Sequence, residues 1–597
     1  MARFTRVAGL IADVALGLPT KAVPYEVRRN VAVPMLDGVT LMADHYRPTG
    51  HDDPLPVVLV RLPYGKAGAF AHMFAAPLAR RGFQVFIQAT RGTFGSGGQF
   101  RPFTSERDDG LATIDWLRKQ SWCDGRVAMA GGSYFGHTQW AVAPYADPPL
   151  TCVSPHITSA NMTNRLFYEH GVPQIHTALS WSAQIGRQEQ PGLLGGLPDP
   201  RVKTRVRRGL GRLPLQAVDV EAAGAPVPFW RDFVAHAEPG DDFWSQADHD
   251  GADLTRMPPV STVTGWWDLF LAGNLADYTA LRAAGNPARL VVGPWLHGEP
   301  GELRMVAQTD AVWLEHHLNG GPAPSGAPVR VHLQQANRWL DFENWPPEGV
   351  RETMLNLGFG GGLTSSLEEP EKLDRLEKLE PQTQETGKLE PQTQETGKLE
   401  PEKPETEKRK RLQAPGKDAE VSRFTYDPAR PTPTVGGPLL QPPGKQADNR
   451  RVEERDDVLV FTGPVLDGDL DVVGPVSATI HVRTSIPYAD VFVRLCDVDP
   501  KGVSRNVVDG IQRLDPRTAA APGPDGIRAV HVELFPTAYR FKRGHRLRVQ
   551  VAGGAFPRYA RNMGTAEPFG SAVEGRSCDF EIFHGGDHAS LLVVPVL

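Results

Sequence analysis

The sequence is poor in several features that mark particular classes of protein. Its 597 residues include only four cysteines, which lie far apart and without metal-type spacing: Cys123, Cys152, Cys496 and Cys578. Such spacing argues against a disulfide scaffold and favours a reducing compartment. No run of 18 or more apolar residues occurs, so we expect no membrane-spanning helix. Lysines and arginines number 64 against 70 aspartates and glutamates, a net charge of −6, so no overall basic field is available to bind nucleic acid.

The amino-terminal residues allow two interpretations. Arg3 and Arg6 precede the apolar stretch 7–18, as in a secretory signal, but Asp13 interrupts that stretch and no small-residue cleavage pattern follows. We therefore predict a short amphipathic helix and a cytoplasmic protein, with a secretory signal as the alternative.

From residue 31 to about 150, strand patterns alternate with helix patterns. Residues 31–46 predict a hairpin that turns at Asp37-Gly38, and residues 107–120 have the apolar spacing of a helix. Continuous apolar runs, typical of strands buried on both faces, occupy 56–63, 82–91 and 126–131. This alternation predicts an α/β fold with a largely parallel sheet.

The strand pattern fades after about residue 160 and resumes at 258–266 and 289–295. An insertion that leaves a sheet and later returns to it is most simply a helical cap. From about residue 325, short strands follow one another without intervening helices, which favours an antiparallel sandwich or jelly roll. The clearest of these strands are 329–334, 478–484, 489–498 and 546–553.

A segment of different composition interrupts this last region. The decapeptide KLEPQTQETG occurs at 378–387 and again at 388–397, and the surrounding residues are highly charged and lack aromatic side chains. Such a stretch cannot bury enough apolar area to offset the entropy lost on ordering. We predict a solvated loop or spacer at about 364–417, with a short helix at 370–380 as an alternative for its first part.

The strongest sign of chemistry is the stretch AMAGGSYFGHTQWAVA at 128–143, where a buried strand runs into two glycines, Ser133 and a helix-compatible segment. A serine on such a tight turn exposes its hydroxyl, and the helix directs its first amides at an anion beside it. The second glycine of the pattern, Gly136, comes three residues after the serine rather than two. An ordinary glycine-rich turn is therefore the alternative interpretation.

A serine nucleophile needs a histidine base and a carboxylate that orients the base. In parallel-sheet hydrolases these follow in the order serine, acid, histidine, each at the end of a later strand. Asp268 and His297 meet this requirement, because each follows a predicted strand whose carboxyl end should face the same crevice as Ser133.

These motifs resemble the cocaine esterase (CocE/NonD) family, which groups bacterial ester hydrolases with X-prolyl dipeptidyl peptidases and α-amino acid ester hydrolases. The resemblance rests on G-x-S-Y-x-G followed by T-Q-W, on G-W-W-D-x-F and on G-P-W-x-H-G, and it covers nearly the whole chain; further similar stretches are RLPYGK (61–66), 89–100, 109–125 and 556–565. It implies Ser133 as nucleophile, Asp268 as orienting acid and His297 as base.

The resemblance also implies a fold, an α/β-hydrolase sheet with an inserted helical cap and a carboxyl-terminal all-β jelly roll. The boundaries that we assign are 1–160 and 258–350 for the two parts of the hydrolase domain, 161–257 for the cap and 351–597 for the jelly roll. At the charged repeat the sequence departs from the family, for which a much shorter loop is implied.

The remaining site residues are likewise implied by the resemblance. The oxyanion hole would consist of the Tyr134 backbone N–H and the Tyr64 phenol, whose pKa near 10 keeps its proton in place at working pH. Phe167, Trp181 and Phe270 would contact substrate. No metal or organic cofactor is implied.

We therefore predict a serine carboxylesterase that acts on small-molecule esters and binds neither nucleic acid nor membrane; a homodimer is one of the oligomeric states that the sequence allows. The first alternative is an X-prolyl dipeptidyl peptidase or α-amino acid ester hydrolase, which needs a carboxylate for the substrate ammonium. Glu169 is the candidate for that role, although an exposed cap-helix glutamate is the commoner case. The second alternative is an inactive jelly-roll binding protein.

Overall fold

A computed structural model of the protein describes residues 9, 12–20, 22–50, 53–68, 70–189, 201–238, 241–365, 420–440 and 444–597. The KLEPQTQETG repeat and the alternative helix at 370–380 lie outside these residues. Of the predicted amino-terminal helix, residues 12–15 are described and helical. Among the helices of the described part, we find none with the length and apolarity that crossing a bilayer requires.

The first sheet begins with an antiparallel hairpin and continues with parallel strands. The hairpin predicted at Asp37-Gly38 is confirmed, and the parallel pairs are β3–β4, β3–β5 and β5–β6. Nearly every side chain of β3 and β4 is buried, as continuous apolar runs predict. The strand order is β1-β2-β4-β3-β5-β6, with β1 Tyr25–Pro34, β2 Thr40–Pro48, β3 Leu55–Leu62, β4 Gln84–Ala89, β5 Cys123–Gly132 and β6 Val153–His156.

Three helices of this part follow strands of the sheet. They are α1 (Ala76–Ala79), α2 (Glu106–Arg118) and α3 (Tyr134–Trp140). Helix α2 confirms the helix predicted at 107–120 and buries Ile114 and Leu117. Helix α3 is buried along its whole length and starts immediately after Ser133.

The segment that follows β6 is mainly helical, as predicted. A short hairpin that the sequence pattern did not predict, β7 (Tyr168–Glu169) with β8 (Val172–Pro173), comes first. The helices are α4 (Ile175–Ile185), α5 (Arg201–Leu210), α6 (Val218–Ala223) and α7 (Pro228–Ala235). Together with Phe167, which precedes β7, their apolar faces form a cluster rich in aromatic side chains, among them Trp181 and Trp230.

The chain then returns to the sheet. The elements are β9 (Ser261–Trp267), α8 (Leu271–Ala283), β10 (Arg289–Leu296), α9 (Pro300–Asn319), β11 (Val329–Leu333) and β12 (Arg338–Phe342), with strand order β12-β11-β10-β9. Strands β9, β10 and β11 pair in parallel. A parallel bridge between Val153 and Val260, and a 2.8 Å hydrogen bond from Ile157 N–H to the Val263 carbonyl, place β6 beside β9. The carboxyl ends of β5, β9 and β10 therefore share one edge.

The remaining strands form a mostly antiparallel β domain. Strand β17 alternates buried and partly exposed side chains along much of its length, whereas every residue of β18 is buried. The described strands are β13 (Arg351–Gly358), β14 (Gly362–Ser365), β15 (Glu420–Tyr426), β16 (Val458–Thr462), β17 (Leu470–Thr484), β18 (Ala489–Val498), β19 (Ser504–Leu514), β20 (Arg528–Phe541), β21 (Arg546–Ala552), β22 (Cys578–His584) and β23 (Leu591–Val596), with one short helix, α10 (Arg450–Glu453).

Candidate active site

Ser133 lies on the sharp turn between β5 and α3. Its backbone angles, φ 59° and ψ −130°, fall in a region that residues with side chains rarely adopt. The Ser133 N–H donates to the carbonyl oxygens of His156 at 3.0 Å and Ile157 at 3.1 Å. These two hydrogen bonds tie the strained turn to the end of β6, and the side chain projects toward the crevice.

The glycines around Ser133 are required by close contacts. At Gly131, where φ is 136°, a Cβ would lie 2.1 Å from the Phe135 ring. At Gly136 it would lie 2.8 Å from the Thr158 side chain and 2.9 Å from the His156 carbonyl oxygen. The unusual spacing of the second glycine therefore has a physical cause, because it is Gly136 that faces the chain leaving β6.

The structure brings Ser133, His297 and Asp268 into one hydrogen-bonded line. His297 Nε2 lies 3.0 Å from Ser133 Oγ, and His297 Nδ1 lies 2.7 Å from Asp268 Oδ2. Asp268 directly follows β9 and is completely buried, and its second oxygen accepts the Phe270 N–H at 2.7 Å. His297 directly follows β10 and remains partly accessible.

Two potential oxyanion donors lie beside this line. Tyr64, just beyond β3, lies on the wall of the same cavity as Ser133, and burial raises the pKa of Tyr64 to about 12, so the phenol keeps its proton. Tyr134 is the first residue of α3, so its amide has no acceptor within the helix. The Tyr134 phenol is engaged elsewhere: it donates to Glu106 at 2.7 Å and accepts the Phe103 N–H at 3.0 Å.

A small cavity opens onto Ser133 and His297. Phe167, Trp181 and Phe270, the three residues predicted to contact substrate, all line it. The other described residues of the cavity wall are Tyr64, Phe103, Tyr134, Met162, Leu166, Thr177, Leu269 and Leu440. None of the described side chains in this wall carries a carboxylate. Most of this wall is apolar or aromatic.

Glu169 differs from what was expected of it. It is not an exposed helix residue but lies buried in β7, outside the wall of this cavity. Its carboxylate accepts the Tyr559 hydroxyl at 2.6 Å and pairs with Arg558 at 3.1 Å. The expectation was wrong because Arg558, itself buried, compensates the charge and makes burial of the carboxylate tolerable.

The sequence pattern did not single out Glu302, which the structure places beside the hydrogen-bonded residues Asp268 and His297. Glu302 is completely buried in the first turn of α9, and its Oε2 accepts the Gly298 N–H at 2.6 Å. Burial and the neighbouring Asp268 carboxylate raise the pKa of Glu302 well above its usual range. An acidic residue in a first helical turn is so common that it carries no signal of function.

Glu302, Asp268 and His297 present ligand atoms within 4.8 Å of one another. A metal would need ionised carboxylates and a free imidazole nitrogen. The raised pKa of Glu302 disfavours its ionised form, and both nitrogens of His297 already have hydrogen-bond partners. The set therefore favours a hydrogen-bonded site over a metal site.

A strained serine joined through histidine to a buried aspartate, at the carboxyl edge of a parallel sheet, is the arrangement of a serine hydrolase. A model of the X-Pro dipeptidyl-peptidase (S15) family matches residues 37–299, and a model of the X-Pro dipeptidyl-peptidase C-terminal non-catalytic domain matches residues 325–576. The cocaine esterase of Rhodococcus sp. (strain MB1 Bresler) is 31% identical over 617 positions, covering 96% of this chain and 99% of that enzyme. The chain therefore belongs to the cocaine esterase family of serine ester hydrolases.

Solved structures share the fold over nearly the entire chain. An α-amino acid ester hydrolase aligns with a TM-score of 0.73 and 23% identity, covering 96% of this chain and 97% of its own. An aminopeptidase from a marine sediment thaumarchaeon aligns with a TM-score of 0.73 and 22% identity, covering 97% and 98%. These similarities establish an α/β-hydrolase-like fold with a mostly-β carboxyl-terminal domain.

Proposed function

We propose that the protein hydrolyses small neutral carboxylic esters through an acyl-enzyme formed on Ser133. The observation that supports this most directly is the hydrogen-bonded line from Ser133 through His297 to Asp268, which faces an apolar cavity. In this reaction the nucleophile, base and orienting acid are Ser133, His297 and Asp268.

In the first half-reaction, His297 Nε2 takes the Ser133 proton as Oγ bonds to the acyl carbon. The carbonyl oxygen becomes an oxyanion that accepts hydrogen bonds from the Tyr134 N–H and the Tyr64 hydroxyl. Asp268, fixed by the Phe270 N–H, holds His297 in the tautomer with hydrogen on Nδ1 and stabilises the imidazolium. When the carbon–oxygen ester bond breaks, His297 gives its proton to the departing alcohol.

In the second half-reaction, His297 removes a proton from water, and the resulting oxygen attacks the acyl carbon. The bond to Ser133 Oγ then breaks, Oγ recovers the proton from His297, and a carboxylic acid leaves. The same two donors stabilise the second oxyanion.

The cavity wall favours uncharged apolar substituents next to the ester carbonyl. Phe167, Trp181 and Phe270 surround this space, and an ammonium group there would meet no carboxylate among the described residues. Glu169 is already neutralised by Arg558. The α-amino alternative is for this reason less well supported than acyl ester hydrolysis, and the hydrogen-bonded Ser133 argues against an inactive binding protein.

We also propose the domain boundaries given above and a jelly roll for 351–597. In support, β12 pairs with β11 in the sheet that contains β9 and β10, whereas β13 pairs with β23 in the β domain. A cytoplasmic location and a homodimer stay predictions from the sequence.

Ser133→Ala tests the proposed function. Removing the nucleophile should lower kcat toward short-chain aryl esters by about 10⁴-fold or more, with an unchanged unfolding midpoint. A fluorophosphonate should label wild type at one site and leave the variant unlabelled. A matched pair of esters, one with an α-amino group and one without, then separates the two substrate classes; wild-type turnover in Ser133→Ala, or preference for the amino ester, contradicts the proposal.

A further inference from the structure

One cap residue reaches the proposed oxyanion hole directly. Trp181 lies on α4, and its indole Nε1 donates to the Tyr64 hydroxyl oxygen at 2.9 Å. The two residues are 117 positions apart in the chain, so this contact joins the cap to the end of β3. Tyr64 and Ser133 line the same cavity.

The direction of the hydrogen bond between Trp181 and Tyr64 follows from its donor, because an indole N–H can only donate. The Tyr64 oxygen therefore accepts from Trp181, and the phenol keeps its own hydrogen for a further acceptor. Ser133, whose Oγ lies 3.0 Å from His297 Nε2, lines the same cavity as Tyr64.

This direction has a consequence for Tyr64. Its oxygen accepts from Trp181, so its own hydrogen is left to point at Ser133, where the oxyanion will form. Accepting a hydrogen bond also polarises the O–H group and makes it a stronger donor. Without the indole N–H, the phenol hydrogen would be free to rotate away from the reacting carbon.

We propose that Trp181 is a positioning residue whose indole N–H directs the Tyr64 hydroxyl hydrogen toward Ser133 and, after attack, toward the oxyanion. The proposal rests on the proposed acyl-enzyme function. It gives the cap a part in the chemical step in addition to shaping the cavity, because the oxyanion hole is complete only when α4 is seated over Tyr64.

Trp181 also packs in the aromatic cluster, stacking on Phe103 at 5.5 Å and meeting Phe229 edge-on at 4.7 Å between ring centroids. A packing role alone predicts altered substrate affinity, seen as a higher KM. A positioning role predicts a lower kcat that depends on the Tyr64 hydroxyl. These two effects can be separated by experiment.

The test is a double-mutant cycle with Trp181→Phe and Tyr64→Phe. Tyr64→Phe should lower kcat by about 10²- to 10³-fold. Trp181→Phe should lower kcat by about 10-fold in wild type but by less than about two-fold in the Tyr64→Phe background. The matched control is Trp230→Phe, which removes another buried cap indole whose N–H donates to the Leu215 carbonyl at 2.9 Å, and it should leave kcat unchanged.

Replacing Trp181 by benzothienylalanine keeps the bicyclic shape, removes only the N–H, and serves if the phenylalanine variant fails to fold. An equal loss of kcat in both Tyr64 backgrounds, or a change in KM alone, overturns the positioning role. Fluorophosphonate labelling of every variant keeps the two proposals distinct. If wild type is labelled and active but the effects of Trp181→Phe and Tyr64→Phe are independent, only the role of Trp181 is refuted. If wild type is not labelled, the acyl-enzyme itself is refuted.

Discussion

At His297, two carboxyl groups lie close together in different surroundings. Asp268 accepts two hydrogen bonds, from His297 and from the Phe270 amide. Glu302 accepts the Gly298 amide, and burial beside Asp268 raises the pKa of Glu302 well above normal. A raised pKa favours the neutral form, so Glu302 can fix the loop that carries His297 without adding a second negative charge there.

Glu302→Gln and Glu302→Leu test this assignment. Glutamine is neutral and can still accept the Gly298 N–H, so we expect kcat within about three-fold of wild type. Leucine cannot accept, so the loop after His297 loses its anchor, and kcat should fall by about 10-fold or more with little change in KM. Steady-state kinetics of the two variants measures this; equal damage in both would show that Glu302 acts as a charged group.

At the scale of elements, the hairpin β7–β8 connects to the β domain through buried ion pairs. Arg558 lies 3.1 Å from Glu169 and also contacts Asp509, and Asp509 pairs with Arg494 at 2.7 Å. Burial alone would raise the pKa of Asp509, but the two arginines reverse this effect and hold it below its usual value. The charges of the network compensate one another within the protein.

Arg558→Met should therefore destabilise the fold more than loss of a surface ion pair does. It leaves two buried carboxylates without their shared cation, a change that typically costs about 3–5 kcal/mol. Asp509 keeps Arg494 in this variant, so adding Glu169→Gln removes the charge that is left without an arginine and should restore part of the loss. Urea unfolding measures both, with Arg430→Met as control, since the Arg430–Asp456 pair is exposed and screened by water. No difference between the Arg558 and Arg430 variants would argue against the network.

How far the sequence predicts these elements depends on the length of each pattern. The strands β3 and β4 and the helix α2 have long, unambiguous patterns, and the structure confirms them. Strand β6 has only four residues, V-S-P-H, and β7 and β8 have two each, so no periodicity develops. Strand β17 extends from Leu470 to Thr484, but a glycine and a proline near its middle restrict the recognisable pattern to 478–484.

The candidate site shows the same division. Ser133, Asp268 and His297 can be selected from sequence because chain order and strand ends restrict the choice. Glu302 cannot, because its importance arises from burial beside Asp268 and not from its position along the chain. Nor can the contact of Trp181 with Tyr64, which depends on how α4 packs over the sheet.

At the scale of the whole molecule, three parts of the chain meet at the cavity. Tyr64, Ser133 and His297 come from the sheet, Phe167 and Trp181 from the helical segment after β6, and Leu440 from the region preceding β16. Substrate preference is then a property of how these parts pack together. Conditions that loosen the packing should change specificity and stability together.

Acid is such a condition, because the fold buries uncharged histidines in separate places. His45 packs against Trp122 under the first sheet, and His249 lies beside His137 below the cap segment. The pKa values of His45 and His249 are each lowered from 6.5 to about 4, mainly because the two side chains are buried. Between these values the unfolded chain binds protons that the folded protein excludes, so the stabilisation is complete above pH 6.5 and is lost as the pH falls toward 4.

We therefore expect the free energy of unfolding to fall steeply from pH 6.5 to 4.5, with roughly 3 kcal/mol attributable to each histidine over the full range. Urea titrations at several pH values measure the slope, which should decrease by up to about one proton in His249→Gln or His45→Gln. His531→Gln, at an exposed position, is the control and should leave the slope unchanged. If the two buried-site variants retain the wild-type slope, other groups cause the acid sensitivity and the burial of neutral imidazoles does not limit stability.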